Sequence, residues 1–285
     1  MISLPAPAKL NLYLHVTGKR DDGYHLLDSL AAFAGVHDTI TVEEASGLSL
    51  EITGPFGEGL AADDSNLVLR AARRLQDVSG TFAGARISLV KRLPVASGIG
   101  GGSADAAATI RALVRLWGVH PGQHDLSGLA LGLGADVPVC LFGQAAFMGG
   151  VGERLEPAGH LPDAPMVLVN PGVDVPTPSV FRARTAGFSK LARFTEPPRT
   201  INQLVDLLND GRGNDLMAPA MVLEPVIGET LMVLEETPGC LFSRMSGSGA
   251  TCFGFFTTTT EAEKAVDHIL GTHPDWWAVA THLVS

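Results

Sequence analysis

The chain has 285 residues, of which 46% are hydrophobic and 18% charged, and its formal net charge is −10 at pH 7. This composition is that of an ordinary globular protein without an apolar run of bilayer-spanning length, and the acidic charge excludes a broad basic surface for nucleic acid. A phosphorylated small molecule stays open as a ligand, because backbone N–H groups and one or two cations hold phosphate whatever the total charge. Residues 1–7 carry no cationic segment followed by an apolar one. We therefore expect a cytoplasmic protein that binds neither nucleic acid nor a membrane.

Hydrophobic periodicity predicts strands near the amino terminus. Residues alternate strictly from Ala8 to Val16, which predicts a half-buried strand whose polar face carries Lys9 and Asn11. Residues 39–42 and 48–52 predict a second pair of strands, separated by a serine and a glycine.

The rest of the chain alternates helical and extended patterns. Capping residues predict a helix that begins near Asn66. A strand is expected over 85–91 and a helix over 103–117, with a glycine-rich loop at 94–102 between them. The same criteria predict helices near Ser179, over 201–208 and over 261–270, and strands over 241–245 and 251–256.

This mixture of hairpin-like strands with separate helices favours an α+β fold over an alternating βαβ array. The length exceeds that of a usual single domain, so we expect either one large domain or two lobes that share an interface. Three prolines and a glycine at 157–165 predict the boundary, which gives lobes of residues 1–156 and 157–285.

The glycine-rich loop is of a kind that binds phosphate. Four of its five residues from 98 to 102 are glycine, so a ligand can approach the backbone closely, and the following helix adds the positive end of its dipole. No Gly-Lys-Ser/Thr closes it, which excludes a Walker A loop. A dinucleotide fingerprint would need glycine where Ser103 stands and an acidic residue about 20 positions on. The predicted phosphate-binding residues are Pro94, Gly98, Gly100, Gly101, Gly102 and Ser103.

Two other segments accompany this loop. Residues 7–12 read Pro-Ala-Lys-Leu-Asn-Leu, and residues 245–250 form a second glycine-rich stretch, Met-Ser-Gly-Ser-Gly-Ala. Together with residues 94–105 and in this order, they resemble the three motifs of the GHMP kinases, a superfamily of small-molecule kinases. The resemblance covers nearly the whole chain.

Further segments are similar to one branch of that superfamily, the kinases of a cytidine-diphosphate-linked sugar alcohol. They are residues 19–25, 134–138, 176–181 and 214–216, with Ser29 and Asp38 at similar spacing. The chain departs from the pattern at Ala104, where some relatives carry a second hydroxyl residue. One candidate contact to phosphate or magnesium is therefore absent.

The resemblance implies a two-lobed α+β fold with the active site in the cleft between the lobes. The amino-terminal lobe would carry the phosphate loop and catalytic residues, and the carboxyl-terminal lobe would bind the acceptor. It also implies ATP and Mg²⁺ as cofactors. The implied reaction is phosphorylation of the 2-hydroxyl of a cytidine-diphosphate-linked methylerythritol, the kinase step of the non-mevalonate route to isoprenoid precursors.

Phosphoryl transfer also needs a cation and a group that receives the proton of the attacking hydroxyl. Asp136 lies in an otherwise apolar segment, where it is either a turn or capping residue or a functional carboxylate; the resemblance implies the catalytic base. Lys9 reads alone as a solvent-facing lysine and by resemblance as the partner of that base. Asn11, two residues on, shares its strand face and should reach the same site. The Ser103 hydroxyl is either a helix N-cap or a contact to phosphate or Mg²⁺.

We expect ring-bearing side chains to recognise the acceptor. By resemblance Tyr24 and His25 recognise the cytosine and Phe181 stacks on it, although an isolated Tyr-His pair would read as surface. The second glycine-rich stretch reads alone as a tight turn and by resemblance as a loop near the substrate diphosphate; its residues are Gly247, Ser248 and Gly249. Asn66 and Leu67 are placed near the adenine by the same resemblance.

Three other functions share parts of this sequence pattern. Another GHMP kinase, acting on homoserine or a mevalonate-type substrate, would lack the sequence Gly23-Tyr24-His25. A non-catalytic nucleotide-binding protein would be indicated by loss of Lys9 or Asp136, and both are present. A nicotinamide-dependent oxidoreductase fails on the dinucleotide fingerprint.

Overall fold

A computed structural model describes residues 1–284, with residues 123 and 124 described as backbone only. The chain forms two compact units that interleave along the sequence. The first unit comprises residues 1–8, 37–95 and 100–143, and the second comprises residues 9–36, 96–99 and the chain from 144 onward. The predicted lobes, residues 1–156 and 157–285, divide the chain by its motifs and stay a prediction.

Two long strands contribute residues to both units, β1 (Ile2–Lys19) and β2 (His25–Ala45). The other elements of the first unit are β3 (Leu48–Thr53), α1 (Leu67–Ser79), β4 (Gly84–Val90), α2 (Gly101–Trp117), α3 (Gln123–Leu133) and α4 (Val137–Phe142).

The strand order in the first unit corrects one expectation. The strands over 39–42 and 48–52 exist but do not pair with each other, because β4 lies between them. It runs antiparallel to β2 and parallel to β3, and α1 supplies the crossover that a parallel pair requires. The backbone of Ala45 and Gly47 packs against Gly84 at the start of β4, where a Cβ would lie 2.5 Å from both Ala45 O and Gly47 N.

Two helices of the first unit follow their sequence signals closely. Asn66 caps α1, since its Oδ1 accepts a 3.0 Å hydrogen bond from Val68 N. The α2 helix begins at Gly101, two residues before the predicted start, and ends at Gly118 as expected. Residues 104–109 are all buried, and the helix packs against α1 and α4.

The second unit contains the remaining elements. They are β5 (Ala146–Gly150), β6 (Arg154–Pro157), β7 (Pro165–Asn170), α5 (Thr177–Ala183), α6 (Ile201–Asn209), α7 (Met217–Leu223), α8 (Val226–Glu236), β8 (Cys240–Met245), β9 (Cys252–Phe256), α9 (Thr259–Thr272) and β10 (Trp277–Val284). The helices and strands predicted beyond residue 170 are thereby confirmed.

The strands of the second unit form an antiparallel arrangement around a large apolar core. β7 pairs with β10 on one side and β9 on the other, and β8 follows β9. The 25–36 part of β2 pairs with β5 and, at its end, with β10. The core beneath includes Val167, Val169, Ile227, Leu234 and Phe256, all fully buried.

The first strand is more buried than its alternating pattern predicts. The polar residues of the 9–16 stretch are enclosed as fully as the apolar ones, with Lys9 only 2% exposed. Each polar side chain finds a partner: Asn11 bonds Ser29, Tyr13 bonds Asp28, and His15 bonds the Lys190 carbonyl. The prediction of a half-buried strand is therefore wrong, because polar groups from distant parts of the chain replace water on its second face.

Within residues 1–284, no one helix combines the length and apolar character needed to cross a membrane. The pair α7 and α8, bent by 120°, meets that test only when both are counted together.

Candidate active site

Lys9 and Asn11 form the start of a buried polar chain in the second unit. Lys9 Nζ donates a 2.8 Å hydrogen bond to Asn11 Oδ1, and Asn11 Nδ2 donates one of 2.8 Å to Ser29 Oγ. Ser29 in turn donates to the Tyr13 carbonyl at 2.6 Å. A solvent-facing lysine is thus excluded, and the ammonium group is oriented by its strand neighbour.

The two glycine-rich stretches contact each other within the second unit. Residues 96–99 of the 94–102 stretch make these contacts. Ser246 Oγ accepts from Asn11 N at 3.1 Å and donates to Gly98 O at 3.2 Å. A Cβ at Gly98 would lie 2.6 Å from Gly249 O, and one at Gly247 would lie 2.9 Å from Gly98 O. Both glycines also have positive φ, +77° and +57°. Glycine is therefore required here for close backbone packing as well as for any ligand.

The second stretch is held in place by residues of other segments that carried the family resemblance. Asn214 Nδ2 donates to the carbonyls of Met245 and Gly247, at 2.8 and 2.9 Å. Thr177, the first residue of α5, shares a 2.7 Å hydrogen bond with Ser248. Sequence reasoning missed Ser246 and Thr177, which differ from other serines and threonines only through these long-range contacts.

His25 and Phe181 lie face to face. Their ring centroids are 4.7 Å apart with an interplanar angle of 16°, a stacked arrangement. Burial lowers the pKa of His25, and the positive charges of Lys19 and Arg184 lower it further. The imidazole is therefore neutral at pH 7, with one donor and one acceptor nitrogen. Tyr24, before it in the turn, is 65% exposed.

The glycine-rich start of α2 belongs to the first unit. Gly100 occupies the N-cap position with a φ of +62°, a conformation that favours glycine, and no side chain caps the helix. Ser103 lies inside the first turn, so its reading as an N-cap is wrong. Gly102 is exposed, and a Cβ built there would meet no atom within 4 Å. The first-turn N–H groups at this end lack a side-chain cap and suit an anion. Pro94, before the loop, is buried.

Asp136 stands at the N-cap position of α4, but its side chain makes no capping hydrogen bond. It is partly exposed, which differs from a carboxylate enclosed in an apolar segment. Asn66, by contrast, uses both polar atoms of its amide: Oδ1 caps α1, and Nδ2 donates to the Ala61 carbonyl at 2.8 Å. Leu67 is the first residue of that helix.

No group of three or more His, Cys, Asp or Glu side chains in the described part of the chain is arranged to hold a metal ion. Mg²⁺ in nucleotide sites takes most of its ligands from water and phosphate oxygens, so such a site does not require a cluster of this kind.

Comparison with known proteins places these residues in a family context. The model of the GHMP kinases N terminal domain matches residues 66–144, and that of the GHMP kinases C terminal domain matches residues 194–273. The chain is 54% identical to the 4-diphosphocytidyl-2-C-methyl-D-erythritol kinase of Paramagnetospirillum magneticum over 283 residues, 99% of each chain. It is also 54% identical to the enzyme of that name from Rhodospirillum rubrum over 279 residues, 98% of this chain and 91% of the other.

Comparison with solved structures supports the same family. A crystal structure of 4-(cytidine 5'-diphospho)-2C-methyl-D-erythritol kinase matches with a TM-score of 0.80 at 36% identity, over 100% of both chains. Homoserine kinase from Cytophaga hutchinsonii matches with a TM-score of 0.73 over 98% of this chain and 94% of the other, but at 18% identity it shows the fold alone. The expected mixed two-domain GHMP kinase fold is confirmed. The chain belongs to the GHMP kinases and, within them, to the family of 4-diphosphocytidyl-2-C-methyl-D-erythritol kinases.

Proposed function

We propose that this protein transfers the γ-phosphoryl group of ATP to the 2-hydroxyl of 4-diphosphocytidyl-2-C-methyl-D-erythritol. The sequence support is identity of 54% over essentially the full chain to kinases named for that substrate. The observation on the molecule that carries the proposal is the stacked His25 and Phe181 pair, a flat aromatic surface with a neutral imidazole. Such a surface suits a pyrimidine base.

The acceptor's cytosine would be recognised at this pair. Aromatic rings attract a base by offset stacking, and a neutral imidazole supplies one donor and one acceptor to the polar edge of the ring. The exposed Tyr24 ring lies next to His25 in sequence and would add a further apolar face. Ser248, held by Thr177, and the neighbouring Gly247 and Gly249 would lie near the diphosphate.

The glycine-rich start of α2 would hold the ATP phosphates. Gly100, Gly101, Gly102 and Ser103 present uncapped N–H groups, and the helix dipole adds positive potential at the same end. Gly98 and Pro94 would shape the segment that leads into them. Mg²⁺ would be bound with the nucleotide and would neutralise charge on the phosphates.

Phosphoryl transfer requires an oxygen nucleophile and a group that accepts its proton. In our proposal Asp136 accepts the proton of the acceptor 2-hydroxyl while that oxygen bonds to the γ-phosphorus and ADP leaves. Lys9, oriented by Asn11, stabilises the negative charge that develops on the reacting oxygens. Asn66 and Leu67 are proposed to lie near the adenine.

The rival functions have less support. Structural similarity to homoserine kinase and mevalonate kinase, at 18% and 10% identity, is similarity of fold. A non-catalytic protein has no selective need for the lysine and aspartate that this chain retains.

The experiment is ADP release with ATP and each acceptor in turn. We expect turnover with 4-diphosphocytidyl-2-C-methyl-D-erythritol and none above background with methylerythritol 4-phosphate, homoserine or mevalonate. Equal turnover with homoserine or mevalonate would refute the substrate assignment. ADP release independent of any acceptor would show hydrolysis alone.

A further inference from the structure

A buried ion cluster in the first unit joins the two stretches of chain that flank the glycine-rich loop. Lys91 Nζ lies 2.5 Å from Asp38 Oδ2 and 2.7 Å from Asp105 Oδ2. The three side chains are at most 4% exposed. We call this set, Lys91, Asp38 and Asp105, the loop-end cluster.

Before the loop, the cluster fixes the backbone. Asp38 Oδ1 accepts hydrogen bonds from Arg92 N at 2.5 Å and Leu93 N at 2.9 Å, while its other oxygen bonds Lys91. One carboxylate on β2 therefore holds three successive residues, and Pro94 of the loop follows directly.

After the loop, the cluster contacts the start of α2. Asp105 lies in the second turn of that helix, and Gly101 packs so closely that a Cβ there would lie 3.1 Å from Lys91 Nζ. The ammonium group thus touches both the first residue of the helix and a carboxylate one turn later. Residues 94–100 connect these two fixed ends.

The cluster is poorly explained as a source of stability. Three buried charges carry a large desolvation cost, and apolar replacements of a buried ion group are often neutral or stabilising. Within the described chain Asp105 Oδ1 has no hydrogen-bond partner. Burial raises the pKa of Asp105 to about 7; Lys91 opposes that rise and Asp38 adds to it. The two carboxylates together outweigh burial at Lys91 and raise its pKa. An arrangement of this kind defines a geometry at the expense of stability.

We infer that Lys91, Asp38 and Asp105 are positioning residues for nucleotide binding. They fix the distance between the ends of residues 94–100 and hold the N–H groups of Gly101, Gly102 and Ser103 in the direction that phosphate needs. The inference rests on the proposed function, in which these N–H groups bind the ATP phosphates. Aligned donors that need no reorganisation bind an anion more tightly than the same donors on a mobile loop.

The test compares two variants of one residue with a control on the same helix. Asp105→Ala removes the carboxylate, whereas Asp105→Asn keeps an oxygen that can accept from Lys91. Ile110→Val shortens a buried side chain of α2 outside the cluster and costs stability through a small cavity. ATP affinity is measured by calorimetric titration without acceptor, and acceptor KM is measured separately.

We expect Asp105→Ala to raise the Kd for ATP about tenfold, the scale of one charge-assisted hydrogen bond. Asp105→Asn should restore most of that affinity, and Ile110→Val should leave it unchanged despite its lower stability. Acceptor KM should stay constant throughout. A general loss of structure would instead weaken the binding of both ATP and the acceptor.

If Asp105→Ala does not fold, the triple variant Asp38→Asn/Lys91→Met/Asp105→Leu takes its place. It leaves no buried charge unpaired, since apolar residues of similar size replace Lys91 and Asp105, and an amide oxygen at position 38 can still accept from Arg92 N and Leu93 N. A folded variant of either kind with unchanged ATP affinity would overturn the inference. An equal loss of affinity in Ile110→Val would overturn it as well. Failure of the unmodified protein to bind ATP would instead count against the proposed function.

Discussion

Lys9 Nζ donates a hydrogen bond to Asn11 Oδ1, two residues further along the same strand, at 2.8 Å. The two side chains share one face of β1 because side chains alternate along a strand. Asn11 is itself fixed at three atoms, by Lys9, by Ser29 at Nδ2 and by Ser246 at its backbone N. The orientation of the ammonium group is thus set by the strand and not by solvent.

Asn11→Ala should lower kcat by up to about a hundredfold, since a small displacement of a catalytic group can cost that much. The KM for ATP should change little. Tyr13→Phe, on the same strand as Asn11, is the control. It removes a buried 3.0 Å hydrogen bond to Asp28 of β2, so it should lower the free energy of unfolding without affecting kcat. Steady-state kinetics and urea unfolding distinguish the two. Equal losses of kcat would reduce Asn11 to a structural residue.

Gly102→Val should weaken ATP binding without unfolding the protein. The position is helical and exposed, and a Cβ there would meet no atom within 4 Å, so the new methyl groups should enter the space in which we place the phosphates. Gly100 is a poorer test, because its positive φ would strain any replacement.

Gly128→Val supplies the matched control for that prediction. It makes the same change at an exposed position of α3 where a Cβ also meets nothing within 4 Å. Both variants change helix propensity by a similar amount, because the same glycine is replaced by the same β-branched residue within a helix. Calorimetric titration should show weaker ATP binding in Gly102→Val only. Similar affinities in both variants would remove the α2 start from the nucleotide site.

Local signals in the sequence predicted several elements correctly. Asn66 before an apolar-periodic run identified α1, and the glycine at 118 identified the end of α2, because caps act within one or two turns. The buried strand β7 was missed, since a strand enclosed on both faces shows no alternation.

Contacts between distant segments could not be predicted in this way. Asn11 on the polar face of β1 is hydrogen-bonded to Ser29 and Ser246, which are distant in sequence. The alternating pattern alone therefore predicted that this face is exposed to solvent. The insertion of β4 beside β2 depends on where α1 returns the chain. The loop-end cluster likewise unites three segments. Of its members only Asp38 was noted in the sequence, through the family resemblance and without a role, and nothing linked it to Lys91 or Asp105.

Phe181→Ala should raise the acceptor KM and leave the ATP KM close to its original value. The substitution removes the ring that stacks on His25, and such a contact contributes roughly 0.5–1.5 kcal/mol beyond the buried area. Phe82→Ala, at a ring that is 98% exposed, is the control and should change neither constant. A rise confined to the ATP KM would place Phe181 in the nucleotide pocket.

The pH dependence of the free energy of unfolding should reveal the raised pKa of Asp105. A carboxyl group with a raised pKa in the folded state favours folding while it is protonated. That contribution is present below its unfolded pKa of about 3.9 and is lost as the pH rises to about 7. The free energy of unfolding of the unmodified protein should therefore fall relative to Asp105→Asn between about pH 4 and about pH 7. Urea unfolding at several pH values measures this difference. Parallel curves for the two proteins would show that the carboxyl group titrates normally.

Asp136→Asn should abolish most turnover while the protein stays folded and binds its substrates. Asparagine keeps the shape of the side chain but cannot accept the proton, and general-base catalysis contributes about 10²–10⁴-fold to kcat. Stability should change little, because asparagine is an equally favourable N-cap residue and occupies nearly the same volume. Substrate dissociation constants within a few-fold of the original would then assign the loss to the transition state.

The control for Asp136 is Asp125→Asn, the same change at an exposed carboxylate in the first turn of the neighbouring helix α3. It alters the charge of the unit equally but should leave kcat unchanged. Single-turnover kinetics with saturating ATP and acceptor isolate the chemical step from product release. If phosphoryl transfer in Asp136→Asn were as fast as in the unmodified protein, the proton would have another acceptor. Lys9→Met should resemble Asp136→Asn, and the double variant should be little worse than either single one, because residues that act as a unit are non-additive.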